Sequence, residues 1–115
     1  MFGIYFAVLI LILLIGFIIF DKILRFEYEN HREIWEEDKK PIGILWVPDK
    51  ASVLYGSYAR NSLAIKWLFK NPQWAEHERE VIKWLYWYRR LTFVFFAGVI
   101  IQFLIELIKW LVGNI

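Results

Sequence analysis

The chain has 115 residues, no cysteine, 59% hydrophobic residues, 20% aromatic residues and a formal charge of +2. This length allows a single domain, and the apolar content is too high for an ordinary soluble one. The lack of cysteine excludes disulfides, iron–sulfur clusters and thiol catalysis. Charge is concentrated in residues 21–90, which hold 13 of the 14 Lys/Arg residues and 11 of the 12 Asp/Glu residues.

Residues 2–20 are nineteen consecutive residues without a charge, FGIYFAVLILILLIGFIIF. At a helical rise of about 1.5 Å per residue, this segment matches the roughly 30 Å of bilayer hydrocarbon and predicts transmembrane helix 1. A cleavable signal peptide is the alternative, but no basic residue precedes the segment and no small-residue cleavage site follows it. Gly3 and Ala7 form a small-xxx-small pair, which either packs against another helix or has no role.

Residues 21–40 contain no glycine or proline and predict a cytoplasmic amphipathic helix that continues the first span and ends before Pro41. One face of it is expected to be an apolar stripe, and two ion pairs with i,i+4 spacing are expected on its outer faces. The stripe consists of Leu24, Tyr28, His31 and Trp35, and the pairs are Arg25 with Glu29 and Arg32 with Glu36.

Residues 41–56 contain two prolines and two glycines and predict a loop, with a short strand or hairpin at 42–47 as the alternative. Residues 57–70 predict a short amphipathic helix, which either caps the helix pair or lies on the membrane surface. Its apolar face consists of Leu63, Ala64, Trp67 and Leu68.

Residues 72–90 predict a second cytoplasmic helix, which runs without a proline into transmembrane helix 2 at 91–113. Asn71 is the expected N-cap, and Pro72 suits the first helical position. The aromatic residues before the second span are typical of a membrane interface. The inner stripe of the cytoplasmic part consists of Trp74, His77, Val81, Leu85 and Tyr88.

Basic residues flank both spans on the side of the charged middle, whereas the two ends of the chain are almost uncharged. The flanking residues are Lys22, Arg25, Arg89 and Arg90. This asymmetry predicts that residues 21–90 are cytoplasmic and that both termini lie outside. The fold class is therefore an all-α membrane protein, a two-span antiparallel transmembrane helical hairpin with long cytoplasmic helical extensions and a short capping helix and loop.

Two histidines supply a candidate metal site. If Phe20 and Leu91 lie at the same membrane level, His31 and His77 face each other's helices about one turn apart in height. The candidate ligands are His31, His77, Glu27 and Glu80, a set suited to zinc or iron. The alternative is a pair of interface histidines that bond to carboxylates across the helix pair. Neither span contains a histidine that could ligate haem.

The second span contains three polar residues, Gln102, Glu106 and Lys109, which share one helix face. Ionisable groups within a span point by default to an ion path or to a contact with a partner helix. The alternative is a pair at the outer interface, because Lys109 lies near the end of the span and can extend toward water.

The usual enzyme motifs are missing: there is no Gly-rich nucleotide loop, no G-x-S-x-G and no H-E-x-x-H. We therefore expect neither an enzyme nor a bound cofactor. The middle segment carries 13 basic and 11 acidic residues, which gives no basic surface for nucleic acid. The expected partners are the lipid bilayer and either another membrane protein or further copies of the chain.

The segment KWLFKNPQWAEHEREVIKWLYWYRRLTFVFFAGVII, together with the N-terminal span, resembles the small bacterial membrane proteins of the universal stress protein B family. The resemblance lies in the architecture, the aromatic start, the His and acidic centre and the Arg-Arg pair before the second span. It implies a bacterial inner membrane location and a role in stress tolerance, and it implies no site residues.

These features favour a small non-enzymatic membrane protein that acts through protein contacts, either as a stress-related protein or as an accessory subunit of a larger membrane complex. The main support is the tryptophan content, since six of the seven tryptophans lie in residues 21–90 and tryptophan is enriched at interfaces. One alternative is an ion- or proton-conducting oligomer that uses the polar face of the second span, and another is a metal-binding helical hairpin. The candidate interface aromatics are Trp35, Trp67, Trp74, Trp84 and Trp87.

Overall fold

The computed structural model describes residues 2–49 and 51–114, and the regular structure of these residues is entirely helical. In chain order the elements are α1 (Phe2–Asn30), α2 (Arg32–Glu37), α3 (Val53–Phe69), a 3-10 turn (Gln73–Ala75) and α4 (Arg79–Gly113). Two of these helices, α1 and α4, are long and apolar enough to cross a membrane. The prediction of an all-helical chain with two long apolar helices is therefore confirmed.

The two long helices pack side by side in opposite directions. Near one end, the Tyr5 hydroxyl donates a hydrogen bond of 2.6 Å to the carbonyl of Gly98. Farther along, the ring centroids of Phe20 and Tyr88 lie 5.6 Å apart. Leu91 was expected to lie level with Phe20, but a Cβ atom added at Gly16 would lie 3.9 Å from Leu91 Cβ, so the observed packing is shifted by four residues, about one helical turn. The molecule is elongated, with extents of 59 × 31 × 22 Å.

The close approach between α1 and α4 occurs at Gly98. A Cβ atom added there would lie 2.5 Å from Leu9 Cδ2 and 3.4 Å from the Tyr5 hydroxyl oxygen, so the absence of a side chain permits this contact. By contrast, nothing lies within 4 Å of a Cβ added at Gly3. Ala7 is exposed. The small-xxx-small pair of Gly3 and Ala7 therefore takes no part in the packing of the two helices.

Gly98→Leu is expected to weaken the contact between α1 and α4, because the new side chain would need the space that Leu9 and Tyr5 occupy. Overpacking of this kind costs about 1–3 kcal/mol. Thermal unfolding of the detergent-solubilised chain, followed by circular dichroism, measures the effect. Gly3→Leu is the matched control and should unfold at the wild-type temperature. Equal stability of the two variants would contradict the observed packing.

The hydrophobic core is not spread along the helix pair but lies at the charged end of the molecule. There α3, α2 and the 3-10 turn pack against the last turns of α1 and the first turns of α4. The Tyr88 hydroxyl donates to the carbonyl of Ala64 at 2.8 Å, and the Arg89 Nε donates to the carbonyl of Trp67 at 2.8 Å. The core residues are Phe20, Ile23, Leu24, Trp35, Leu63, Trp67, Trp74, Ala75, Val81, Leu85 and Tyr88.

The extension predicted as one helix over 21–40 bends at His31, whose backbone leaves the helical region with φ −136° and ψ 54°. Side-chain donors insert at this bend, since Arg32 Nε donates to the Tyr28 carbonyl at 2.8 Å and Asn30 Nδ2 donates to the Phe26 carbonyl at 3.2 Å. Such insertions are a recognised cause of helix kinks. The expected ion pair of Arg25 with Glu29 forms at 3.1 Å. Arg32 instead stacks on the Tyr28 ring, with its guanidinium carbon 3.6 Å from the ring centroid.

Helix α2 ends at Glu37, before Pro41, because Lys39 and Lys40 adopt left-handed backbone conformations with φ 71° and 53°. The loop that follows contains no strand over its described residues 38–49, so the alternative of a strand at 42–47 is wrong. Asp21 holds this loop, since its two carboxylate oxygens accept hydrogen bonds of 2.7 Å from the backbone N–H groups of Ile44 and Leu45.

The second long helix begins at Arg79, and the prediction of a helix from Pro72 is wrong. Pro72 is extended, with ψ 143°, and the 3-10 turn after it places Trp74 and Ala75 in the core. The Asn71 side chain does not act as the expected helix cap, because its Oδ1 accepts a hydrogen bond of 2.6 Å from Arg89. Burial of Trp74 therefore outweighs the local preference for a helix.

Candidate functional site

Glu27 is a fully buried carboxyl group at the centre of the core. It lies on α1, seven residues beyond the apolar segment, and none of its surface is exposed. Trp74 Nε1 donates a hydrogen bond of 2.8 Å to Glu27 Oε2. Asp38, which follows α2, lies within hydrogen-bond reach of the same carboxyl, and Lys66 of α3 is the nearby cation.

The surroundings of Glu27 favour its protonated form. Burial raises the pKa of Glu27, the charge of Asp38 and its hydrogen bond raise it further, and the Trp74 hydrogen bond and Lys66 only partly oppose them. The resulting pKa is about 9, so Glu27 carries a proton at pH 7. Two ionised carboxylates cannot share a hydrogen bond, because neither has a donor. The proton on Glu27 supplies the donor that the contact with Asp38 requires.

The four residues predicted as metal ligands do not form a site. Glu27 is buried against Trp74, His77 and Glu80 are exposed, and His31 Nε2 lies 3.8 Å from Glu78 Oε1 rather than near Glu80. Over the described residues, 2–49 and 51–114, no group of three or more His, Cys, Asp or Glu side chains could hold a metal ion. The kink at His31 and the late start of α4 change which residues face each other, so the four predicted ligands are not brought together.

The predicted interface aromatics separate into two groups. Trp35, Trp67 and Trp74 are 2%, 1% and 9% exposed and form part of the core, so they are not available to a partner. Trp84 is half-buried, and Trp87 is 47% exposed. Most of the tryptophan content therefore serves to pack a small core between helices rather than to form an outer surface.

The polar residues of the second span do lie on one face of α4. Gln102 Nε2 donates a hydrogen bond of 3.1 Å to Glu106 Oε1, and Lys109 Nζ lies 3.9 Å from the same oxygen. The side chains of Glu106 and Lys109 are exposed, and Gln102 is half-buried. This polar face of α4 lies beyond Gly98, where the Tyr5 contact with α1 is made.

Two features of these sites were not anticipated from the sequence. No prediction concerned Asp21, because its role in holding the loop depends on residues 23 and 24 positions away. Glu27 was noted as a metal ligand, but its burial depends on Trp74, 47 positions away. The one local indication of these roles is that Asp21 and Glu27 each lie beside an apolar stripe in the sequence.

Comparisons of the chain with known protein families, with curated proteins and with solved structures gave no match. The resemblance to the universal stress protein B family therefore stays a prediction.

Proposed function

We propose that this chain is a small integral membrane protein, without catalytic activity of its own, that acts by binding another transmembrane helix. Two observations support membrane insertion. Both α1 and α4 have the length and composition of spans, and no residue of the most apolar 18-residue window of α4 is buried. A helix in the centre of a soluble protein would bury such a window.

The proposal includes an orientation. Lys22 and Arg25 follow the apolar part of α1, and Arg89 and Arg90 precede the apolar part of α4. The core that surrounds Glu27 lies at this same end of the helix pair. The positive-inside rule then favours a cytoplasmic core and two external ends. The inner membrane of a bacterium is the proposed location because the resemblance to the universal stress protein B family implies it.

The single observation that carries the proposed function is the polar face of α4, Gln102, Glu106 and Lys109. These side chains contact one another, and the outer part of α4 is exposed around them. Polar groups in bilayer hydrocarbon are costly, and helices bury them by hydrogen bonding to neighbouring helices. We therefore propose that this face binds a partner span, supplied by a second copy of the chain or by a larger membrane complex to which it is an accessory subunit.

Single cysteines can test this contact directly, because the natural chain has none. Val99 lies three and seven positions before Gln102 and Glu106, on the same face, whereas Leu104 lies on the opposite face, and both side chains are exposed. Oxidation in native membranes should cross-link Val99→Cys between copies and leave the control, Leu104→Cys, monomeric. Combining Gln102→Leu with Glu106→Gln should weaken the Val99→Cys cross-link.

If the partner is a different protein, Val99→Cys should stay uncross-linked between copies, and gentle solubilisation should retain a stoichiometric membrane protein that the double variant loses. A chain that is monomeric and without a stoichiometric partner, in detergent and in native membranes, would disprove the proposed contact.

An ion or proton path is the second candidate for the same face, favoured by the contact of Glu106 with both Gln102 and Lys109. Flux through liposomes containing the purified chain should then fall in Glu106→Gln. Vesicles no more permeable than protein-free ones would remove this candidate and leave the helix contact unaffected.

A further inference from the structure

A cleft of about 370 Å³ opens between α1, α3 and α4, next to the core. Its volume is at the lower end of the range of about 300–1,000 Å³ found for small-molecule sites. Its walls are mainly hydrocarbon, contributed by the last apolar turns of α1, the first apolar turns of α4 and one face of α3. Representative lining residues are Leu13, Phe17, Ala64, Leu68, Leu91 and Phe96.

Arg60 of α3 lines the same cleft and is half-buried. Its guanidinium makes two long hydrogen bonds, from Nη1 to the Gly43 carbonyl at 3.3 Å and from Nε to Asn61 Oδ1 at 3.4 Å. The three salt bridges between described residues do not involve Arg60. The cleft therefore combines an apolar interior with a half-buried guanidinium that forms no ion pair with the described residues.

We propose that this cleft binds an anionic glycerophospholipid, with one acyl chain between α1 and α4 and the phosphate at Arg60. The proposal rests on the membrane placement proposed above and not on the partner contact of α4. In that placement the apolar walls, drawn from residues 12–20 and 91–96, lie in the bilayer, where hydrocarbon chains are the available occupant. The planar guanidinium of arginine is well suited to bidentate phosphate binding.

The height of the cleft agrees with this assignment. On α1 its wall extends over the nine residues from Ile12 to Phe20, about 12 Å of helix, and it ends next to Asp21. On α3 the Phe69 ring contacts the Phe93 ring of the second span, with centroids 6.4 Å apart. This contact places the C-terminal end of α3 against the apolar part of α4. Arg60, more than two turns earlier on α3, then lies at the level of the lipid headgroups.

Native mass spectrometry of the full chain in detergent tests the site with two probes, phosphatidylglycerol and phosphatidylcholine with identical acyl chains. The wild-type chain should retain phosphatidylglycerol in preference to phosphatidylcholine by about tenfold, because both lipids offer a phosphate to Arg60 but only phosphatidylcholine also brings a cationic choline group beside the guanidinium. Arg60→Gln should abolish this preference. Lys83→Gln removes the same charge from an exposed position outside the cleft, about two turns before the apolar part of α4, and it should behave as wild type.

The apolar part of the cleft has its own variants. Ala64→Phe should fill the cleft and lower retention of both lipids, whereas Ser62→Phe adds the same ring at an exposed position outside it. Ile65→Trp is a second filling variant that preserves the core, because Ile65 lines the cleft but is 62% exposed.

Three results would overturn the lipid site: no preference for phosphatidylglycerol in the wild-type chain, an unchanged preference in Arg60→Gln, or wild-type lipid retention in folded Ile65→Trp. The Val99→Cys cross-link, measured in the Arg60→Gln background, separates the two proposals. It should persist when the lipid is lost, and failure of the cross-link alone leaves the lipid site intact.

Discussion

Glu27→Gln is expected to stabilise the folded chain at pH 8 and to leave its stability at pH 4 almost unchanged. The folded chain keeps a proton on Glu27 up to a pKa of about 9, whereas the unfolded chain releases it near pH 4.5. Between these values the folded state binds more protons, so its stability falls as the pH rises, by up to about 1.4 kcal/mol per pH unit. The stabilising contribution is complete below pH 4.5 and is lost as the pH approaches 9.

Glutamine reproduces the protonated carboxyl without titrating. Its side-chain oxygen can accept from Trp74 Nε1, and its amide can donate to Asp38. Other ionisable groups also contribute to the pH dependence of stability, and they do so equally in the two proteins. Subtracting the variant's unfolding curve from that of the wild type removes their contribution and isolates Glu27.

Thermal unfolding in one detergent at pH 4, 6 and 8 measures the difference. Glu29→Gln is the matched control, because Glu29 lies on the same helix but is exposed and paired with Arg25. The unfolding temperature of Glu29→Gln should follow that of the wild type at all three pH values. If the unfolding temperatures of Glu27→Gln and wild type differ by the same amount at all three pH values, folding does not change the proton binding of Glu27. This result would contradict a buried carboxyl that keeps its proton.

Trp67→Ala is expected to cost about 3–5 kcal/mol of folding stability, the usual loss for truncating a buried aromatic side chain. Trp67 is 1% exposed, and its ring centroid lies 5.3 Å from that of Phe20 and 6.5 Å from that of Trp74. Its removal therefore leaves a cavity where α1, α3 and the 3-10 turn meet. Unfolding of the purified chain by heat in mild detergent measures the loss.

Trp87→Ala supplies the comparison, because Trp87 is 47% exposed and its substitution should change stability by no more than about 0.5 kcal/mol. Wild-type stability of Trp67→Ala would mean that Trp67 is an outer contact residue, as its inclusion among the interface aromatics first suggested.

Local patterns were sufficient to predict the elements whose burial follows the helical repeat. Three such features depend only on residues within a few turns of one another. They are the two apolar segments, the ion pair of Arg25 with Glu29, and the shared face of Gln102 and Glu106. The buried face of α3 at Leu63 and Trp67 was predicted for the same reason. Such features need no knowledge of where the chain folds back.

Most of the features that were not predicted depend on distant residues. The helix was expected to begin at Pro72, but Trp74 must reach the core and Glu27, 47 positions away, so the chain forms a 3-10 turn there. The same contact buries the carboxyl group of Glu27, which was predicted to be a metal ligand. The bend at His31 was not predicted either, although its hydrogen bonds are local: Asn30 Nδ2 donates to the Phe26 carbonyl and Arg32 Nε to the Tyr28 carbonyl. The helical periodicity of apolar residues does not indicate the 3-10 turn, the burial of Glu27 or the bend at His31.

The proposed crossing of the membrane by α1 and α4, with the core inside the cell, can be measured directly. The cysteine-free chain allows Ser62→Cys, exposed on α3, and Asn114→Cys, exposed after α4, to be probed with a membrane-impermeant maleimide in bacterial spheroplasts. We expect Asn114→Cys to react in intact spheroplasts and Ser62→Cys to react only after the membrane is disrupted. Equal labelling of both positions in intact spheroplasts, or protection of Asn114→Cys while Ser62→Cys reacts, would contradict it.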